Sequence, residues 1–510
     1  MKDLAGRSLI AFFWGAGGSI IKIILQFAVQ VVLARLLGPT EYGLFALGVI
    51  VVSVSTYFSD MGLAYGLIQK KSVDANDMRF VWTWQCILGL SVSAIIFSSA
   101  GSLADLFAKP EAEFIFRWLS LVILINAWTA LSTNLLKKSL NYKVLQVSEL
   151  CSYFLGFGCV GIPMAIAGYG GASLVAAWLV QAASNLVILY FQVRHPVTFR
   201  FSTAGGSHML RYGATVLGTN LINWLLSGAD KLLVGRIFPA STVGLYTTAF
   251  NFVNTPSSAI YGNLQSIVFS ACARLQDNRE ALREVFLRLL LLVTLVSFPL
   301  FIAIGVGGEF VIVTVYGAKW RDAAQFLTPF ALVMPFLLIW GISTPILWNS
   351  GYTKLEFWLQ LPMVLLWLAA LSAVLDSPPR VVAIVAACLF ALRCMVMVMA
   401  VVKVLEISLR SFLNAIWGGA VLSIIVAAAS ILLRPSIAGF NVDAPVQLLL
   451  LLGAVSIIYF LSLCLLAPKL VDEGMIAYIG RTTQGTGTQG TQLPRWVTPI
   501  ARYLLGNRKK

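Results

Sequence analysis

VLARLLGPTEYGLF (32–45) and LVGRIFPASTVGLY (233–246) align without a gap when the chain is shifted by 201 residues. Arg35 then falls on Arg236, Gly43 on Gly244, Leu44 on Leu245 and Phe45 on Tyr246. Each stretch closes one apolar run and, after a short polar loop, opens the next. A first helix therefore recurs as a seventh, with the loop that follows it. An even number of spans separates the copies, so both halves insert with the same orientation. That is a parallel repeat, with a pseudo-axis along the membrane normal.

Around these stretches the chain is apolar throughout. Hydrophobic residues make up 59% of the 510, and charged residues only 11%, less than half the share in soluble domains. Lipid must be the main solvent. A span needs about 20 apolar residues. Spans are predicted near 8–36, 42–68, 80–102, 114–136, 145–168, 171–192, 210–236, 243–271, 286–315, 324–350, 356–375, 380–402, 412–433 and 446–467. The expected fold is an all-α integral membrane protein of about 14 transmembrane helices. It divides into an N-lobe (1–192, helices 1–6), an inter-lobe loop (193–209) acting as hinge and a C-lobe (210–403, helices 7–12). Helices 13 and 14 (404–468) and a basic tail (469–510) follow.

The formal charge of +15 is read by position. With the N-terminus inside, Arg35, Lys109, Arg117, Arg236, Lys319, Arg321, Arg380 and Arg434 are the outer basic residues, and most of the remainder fall on the inner side. The excess sets orientation and needs no nucleic acid to explain it. Both termini are expected in the cytoplasm. The tail joins a flexible RTTQGTGTQGTQ stretch to PRWVTPIARYLLGNRKK. It reads either as a basic amphipathic segment on the inner leaflet or as a solvated tail.

Polar residues inside the spans are the candidate site. Ser19, Lys22, Gln26 and Gln30 share one face of helix one. Adding 201 gives Asn220, Asn223, Ser227 and Lys231 on helix seven. Helix eight adds Thr247, Asn251, Asn254, Ser258 and Tyr261 at the same spacing. Lipid cannot hydrogen-bond these groups, so they must face protein or water. A hydrated central cavity is the expected arrangement; interhelical polar contacts are the plainer alternative. Lys22 and Arg393 lie mid-span, where a charge costs roughly 2.5–3.5 kcal/mol on insertion scales. Asp60 and Asp230 are candidates for coupling a proton or Na⁺, or Asp230 and Lys231 simply neutralise one another.

Other motifs carry no chemistry. GFGCVG (156–161) matches a dinucleotide fingerprint only literally, because it lies inside an apolar span. No phosphate-binding loop of the GxxxxGK type occurs. The seven cysteines lie in or beside apolar runs and read as small buried apolar residues. The two histidines, His195 and His208, make no convincing metal site. No catalytic residue, cofactor or metal is expected, and a transporter is favoured over an enzyme.

VLARLLGPTEYGLFALG followed by SDMGLAYGLIQKK (59–71) resembles the N-terminal signature of the polysaccharide-transport family of O-antigen and colanic-acid exporters. That family lies within the multidrug/oligosaccharidyl-lipid/polysaccharide exporter superfamily. LLKKSLNYKVL (135–145), VGLYTTAFNFVNTPSSAIYGNLQSIVFSACARLQDN (243–278) and VYGAKW (315–320) are similar to it in the same order, so the likeness covers residues 5–410. It departs at SACARLQD (270–277), where the family carries a proline near position 270. The resemblance implies two six-helix lobes around a central cavity plus two further helices. It implies a flippase moving undecaprenyl-diphosphate-linked glycan across a bacterial cytoplasmic (inner) membrane, with membrane lipid and polysaccharide polymerase or export proteins as partners. In that reading Gln26, Gln30, Asn220, Asn223, Asn251 and Asn254 face sugar hydroxyls, and Lys22, Lys231 and Arg393 face phosphate. A multidrug cation antiporter of the same superfamily and a scaffold of the assembly complex are the alternatives.

Overall fold

The computed structural model describes residues 2–63, 67, 73–203, 206–273, 275, 278–440 and 442–470. The basic tail beyond 470, and the QKK end of the second signature segment, lie outside the described residues. Fourteen long helices follow one another: α1 (Lys2–Leu37), α2 (Pro39–Asp60), α3 (Ala75–Ser98), α4 (Ala112–Lys138), α5 (Tyr142–Ile166), α6 (Ala172–Val193), α7 (Gly206–Ile237), α8 (Ala240–Ala273), α9 (Arg279–Val306), α10 (Ala324–Asn349), α11 (Thr353–Ser372), α12 (Pro379–Val404), α13 (Leu409–Ala438) and α14 (Ala444–Leu470). Among the described residues twelve helices are long and apolar enough to cross a membrane. The other two long ones are α7 and α8, which carry the asparagines, serines and threonines of the candidate site.

Two boundaries differ from expectation. The second apolar run was expected to continue to 68, but α2 stops at Asp60 because Met61 and Gly62 both turn to positive φ (43° and 63°). The ninth was expected to reach 315; α9 is capped at Gly307 and a separate helix, Gly308–Tyr316, follows. The departure at 270–277 leaves α8 helical to Ala273.

The repeat is visible in the packing. A Cβ built on Gly43 would strike the carbonyl oxygen of Ala240, and one built on Gly244 would strike that of Pro39. Residues 240 and 244 are 39 and 43 shifted by 201. Contact i-to-j is matched by contact j-to-i, the signature of a two-fold interface. The pseudo-axis therefore passes between Gly43 and Gly244, where the first turns of α2 and α8 touch backbone to backbone. Only glycine admits that approach.

The same end is latched from the side. Arg35 of α1 donates from Nε to the Val315 carbonyl (2.9 Å) and from Nη2 to that of Thr314 (2.6 Å). These are carbonyls left open at the C-terminus of Gly308–Tyr316. Trp320 donates to the Ala34 carbonyl (2.9 Å) and meets Tyr42 edge-on at 5.5 Å. The VLARLLG and VYGAKW segments thus dock on one another across the lobes. In the opposite halves of the helices, Gly17 and its repeat partner Gly218 have nothing within 4 Å of where a side chain would start, and neither has Gly262.

GFGCVG forms a π-helical stretch of α5 that packs on α6, with the Cβ position of Gly161 only 2.9 Å from the Ala177 methyl. All seven cysteines are free. Only Cys272 and Cys394 are fully buried; Cys151, Cys159, Cys388 and Cys464 face out of the bundle, which corrects the expectation of buried thiols.

The inter-lobe loop is not a free hinge. Its first ten residues lie along α3. The Arg200 amide donates to Thr83 Oγ1 (2.6 Å), the Thr203 hydroxyl to Asp77 (3.1 Å), and an Arg200 guanidinium nitrogen to Asn76 (3.1 Å). His195 is buried between Trp82 and Tyr190, ring centroids 5.1 and 5.4 Å away, and its Nε2 has no partner. Burial lowers the His195 pKa against a weaker opposing contribution from the Pro196 carbonyl. A depressed histidine pKa leaves stability intact above the unfolded value, about 6.5, and removes it as pH falls toward the folded value. The thermal midpoint of the purified protein should therefore drop as pH falls below that value. His195→Phe should flatten the drop while keeping the aromatic packing.

Candidate functional site

Two chambers meet at α7. The first, about 520 Å³, lies between the lobes. Gln26 and Gln30 of α1 line one wall, and Ser227 and Lys231 of α7 line another. These are the repeat-related positions, facing each other across the pseudo-axis. Asn251, Thr247 and Thr248 of α8 complete the polar surface, with Tyr42, Tyr153 and Trp224 as aromatic walls. Tyr42 donates to the Gln30 carbonyl (3.2 Å), and the Trp224 indole donates to Ser53 (3.0 Å). Both rings are thereby held in place with their polar ends satisfied.

The second chamber, about 500 Å³, lies within the C-lobe among α7, α8, α10, α11 and α12. Asn223, Ser227, Asp230, Lys231, Asn254 and Arg393 all line it. Ser227 and Lys231 belong to both chambers. Both volumes fall within the usual range for small-molecule sites.

Arg393 is the most constrained charge. It is 1% exposed. Its Nη2 donates to Asn223 Oδ1 (3.1 Å) and Gln360 Oε1 (2.5 Å), and its guanidinium sits 4.3 Å from the centre of the Trp340 ring. Gln360 donates in turn to Glu356 (3.1 Å), which also accepts from Trp348 (2.7 Å). Arg393 Nε and Nη1 remain without partners. Buried unpaired donors are costly, and these adjoin a cavity whose lining includes Lys231.

Lys231 donates to the Ser227 carbonyl (3.0 Å) and lies 3.9 Å from the centre of the Phe250 ring. It does not neutralise Asp230. That carboxylate accepts from the Tyr246 hydroxyl (2.7 Å), and its second oxygen is unpartnered. Among the described residues no carboxylate oxygen stands within ion-pair distance of the Lys231 ammonium, although the neighbouring Asp230 still attracts it, and it rests on a carbonyl and an aromatic face.

Other expected residues are not brought here. Lys22 pairs with Glu149 of α5 at 2.5 Å, about one-third exposed on each side, and lines neither chamber. Asn220, one turn before Asn223, lines neither. Asp60 closes α2 and accepts from Gln85 (3.1 Å), away from both cavities. The expected three-cation site therefore contains two, Lys231 and Arg393. A charge taken into a span is stable chiefly when paired, and removing one partner strands the other. Lys22→Met should lower the thermal midpoint, and adding Glu149→Leu should restore most of the loss.

The sequence reading passed over Glu356, Gln360 and Trp340. Glu356 and Gln360 stand four apart in an otherwise apolar helix, the same spacing that drew attention to α1 and α7.

The chain matches the family model described as polysaccharide biosynthesis protein over residues 32–325. It is 24% identical over 327 residues to the lipopolysaccharide biosynthesis protein WzxC of Escherichia coli (strain K12), 64% of this chain and 66% of that one. It is likewise 24% identical over 334 residues to the succinoglycan biosynthesis transport protein ExoT of Rhizobium meliloti (strain 1021), 66% of this chain and 67% of that one. It thus spans about two thirds of the length of these curated relatives. Its fold is similar to that of lipid II flippase MurJ in an inward closed conformation, with a TM-score of 0.67 at 12% identity, covering 91% of this chain and 99% of the other. With the repeat, the two chambers and these matches in hand, the chain belongs to the polysaccharide biosynthesis protein family.

Proposed function

We propose that this chain is a flippase that exports a polyprenyl-diphosphate-linked oligosaccharide across a bacterial cytoplasmic membrane by alternating access. The observation that carries the reading is the shared wall of the two chambers. Ser227 and Lys231 stand where amide- and hydroxyl-lined space from both lobes meets an unneutralised cation. Such a substrate has a sugar chain that seeks hydrogen bonds, a diphosphate that seeks cations and a tail that stays in lipid. Gln26, Gln30, Asn251, Asn223 and Asn254 suit the hydroxyls. Lys231 suits phosphate as a point charge, and Arg393 through the unpartnered donors on Nε and Nη1. Lys22 is better assigned to holding α1 on α5.

The basic asymmetry favours cytoplasmic termini, and in that orientation the Gly43–Gly244 contact would seal the outer side. The helix halves around Gly17 and Gly218 then face inward, where α2 and α7 also meet closely, a Cβ on Gly213 lying 2.3 Å from the Met61 carbonyl oxygen. Rocking of the lobes about the Gly43–Gly244 contact would alternate access. A diphosphate near −2 leaving a negative interior gains roughly 4–5 kcal/mol per 100 mV, so the membrane potential alone can drive export. Asp230, with one free carboxylate oxygen, is the better placed of the two acidic candidates for coupling H⁺ or Na⁺.

The test is transport of a labelled polyprenyl-diphosphate glycan by purified protein in vesicles at imposed potentials. Faster flipping toward the positive side is expected. Equal rates at both polarities would exclude transit of an uncompensated diphosphate.

A further inference from the structure

The strap of residues 194–202 has properties that transport does not use. Its backbone is pinned to α3 through the Arg200 amide and, just beyond the strap, the Thr203 hydroxyl, and its start is wedged by the buried His195 ring. Yet Phe199 and Phe201 are 67% and 66% exposed, and Val197 is exposed as well. A peptide held this firmly could have hidden its two phenylalanines; instead it displays them. Arg194, at the start of the strap, and Arg211, in the first turns of α7, are exposed and have no ion-pair partner among the described residues. Asp74 and Asp77, the carboxylates of the α3 turn that the strap crosses, are engaged in the capping box there.

The level of the strap follows from its contacts. It touches Asn76, Asp77 and Thr83, in the polar first turns of α3. The apolar run of that helix begins at Phe80, and its first turns carry Trp82 and Trp84, the residue type that marks membrane interfaces. At 1.5 Å per residue, the Thr83 contact lies about 12 Å along α3 from Ala75. That is the level at which a spanning helix passes from headgroups to hydrocarbon. Aromatic side chains with arginines beside them at that level fit a surface that is apolar on one side and anionic on the other.

We propose that residues 194–202, with Arg211 at the start of α7, form an interfacial anchor that docks the seam between the lobes on anionic lipid headgroups, Phe199 and Phe201 entering the acyl boundary and Arg194 and Arg211 meeting phosphates. The occupant is a lipid surface and not a protein groove ligand, because the exposed residues sit along the aromatic-rich start of a spanning helix. The anchor holds the join between the lobes at the bilayer surface, so that each lobe rocks about a fixed point.

The test places the photoreactive residue p-benzoyl-phenylalanine at position 199 of the full chain. The protein is irradiated in vesicles of phosphatidylcholine alone and of phosphatidylcholine mixed equally with phosphatidylglycerol, and adducts are weighed by mass spectrometry. Lipid adducts are expected, with phosphatidylglycerol enriched over its share of the bilayer. Two arginines at the surface can support a ratio of phosphatidylglycerol to phosphatidylcholine adducts on the order of ten to one, shrinking at high salt. Arg194→Gln with Arg211→Gln should abolish the enrichment while lipid adducts persist. Equal capture of both lipids by the wild-type pair of arginines would overturn the anionic preference. No lipid adduct, or a protein adduct on irradiation in native membranes, would overturn the anchor.

Discussion

Gly244→Leu is expected to leave the protein inserted and helical but to reduce flipping at least tenfold, and Gly43→Leu to do the same. The reason is the backbone contact at the pseudo-axis. A Cβ on Gly244 would lie 2.8 Å from the Pro39 carbonyl carbon and 3.0 Å from the Gly43 nitrogen, and closer still to the Pro39 oxygen. Nothing there is the far end of a flexible side chain, so relief requires the first turns of α2 and α8 to separate. Overpacking costs about 1–3 kcal/mol in ordinary cores. Charged to only one of two conformations, that amount shifts their ratio by roughly 5- to 150-fold. The outward-sealed state should become rare, and a transporter that cannot reseal cannot cycle. The check is paired: flipping in vesicles, and reactivity of a cysteine introduced at Thr40 in a background where the native cysteines are serine. Slow flipping with raised reactivity is expected. Normal flipping in both leucine variants would mean that this contact does not need to close. Alanine at either position should fall between.

What was legible in the sequence was what repeats or what has local period. The 201-residue register placed Gly43 opposite Gly244, and it placed Gln26 and Gln30 opposite Ser227 and Lys231, because the same pattern serves the same axis twice. Lys22 was misread because its partner, Glu149, lies 127 residues away with no pattern linking them; a charge in a span announces only that it needs a partner. The division into two chambers was hidden for a similar reason. It depends on how α10, α11 and α12 pack, and α10 is buried along most of its length and carries Pro329, Pro335 and Pro345. The attachment of the inter-lobe loop was hidden because composition does not tell a solvated polar segment from one satisfied along the side of a helix, as Arg200 and Thr203 are. The helix boundary at Asp60 went unseen because hydropathy runs on through Met61 and Gly62 while the backbone turns.

Arg393→Met should cost little stability and nearly all transport. Removing a buried charge from a span returns roughly 2.5–3.5 kcal/mol on insertion scales. Methionine can occupy the space over Trp340 left by the guanidinium stem. Against that gain stand the lost bonds to Asn223 and Gln360, each worth about 1.5–3 kcal/mol to a charged group. Two such bonds outweigh the gain by up to about 3 kcal/mol, so the thermal midpoint should fall by a few degrees. Transport has no such compensation. The unpartnered Nε and Nη1 are groups that a fold with no ligand would have satisfied or excluded, and a phosphate oxygen is the acceptor that fits them. Arg393→Lys keeps the charge but loses the planar fork, so it should retain part of the rate that Arg393→Met loses. Flipping at imposed potential separates the roles. A variant that is stable and slow identifies Arg393 as a substrate contact. A variant that is stable and fast would reduce it to a structural pin between α7, α11 and α12, and Lys231 would then be the one cation left to meet the diphosphate.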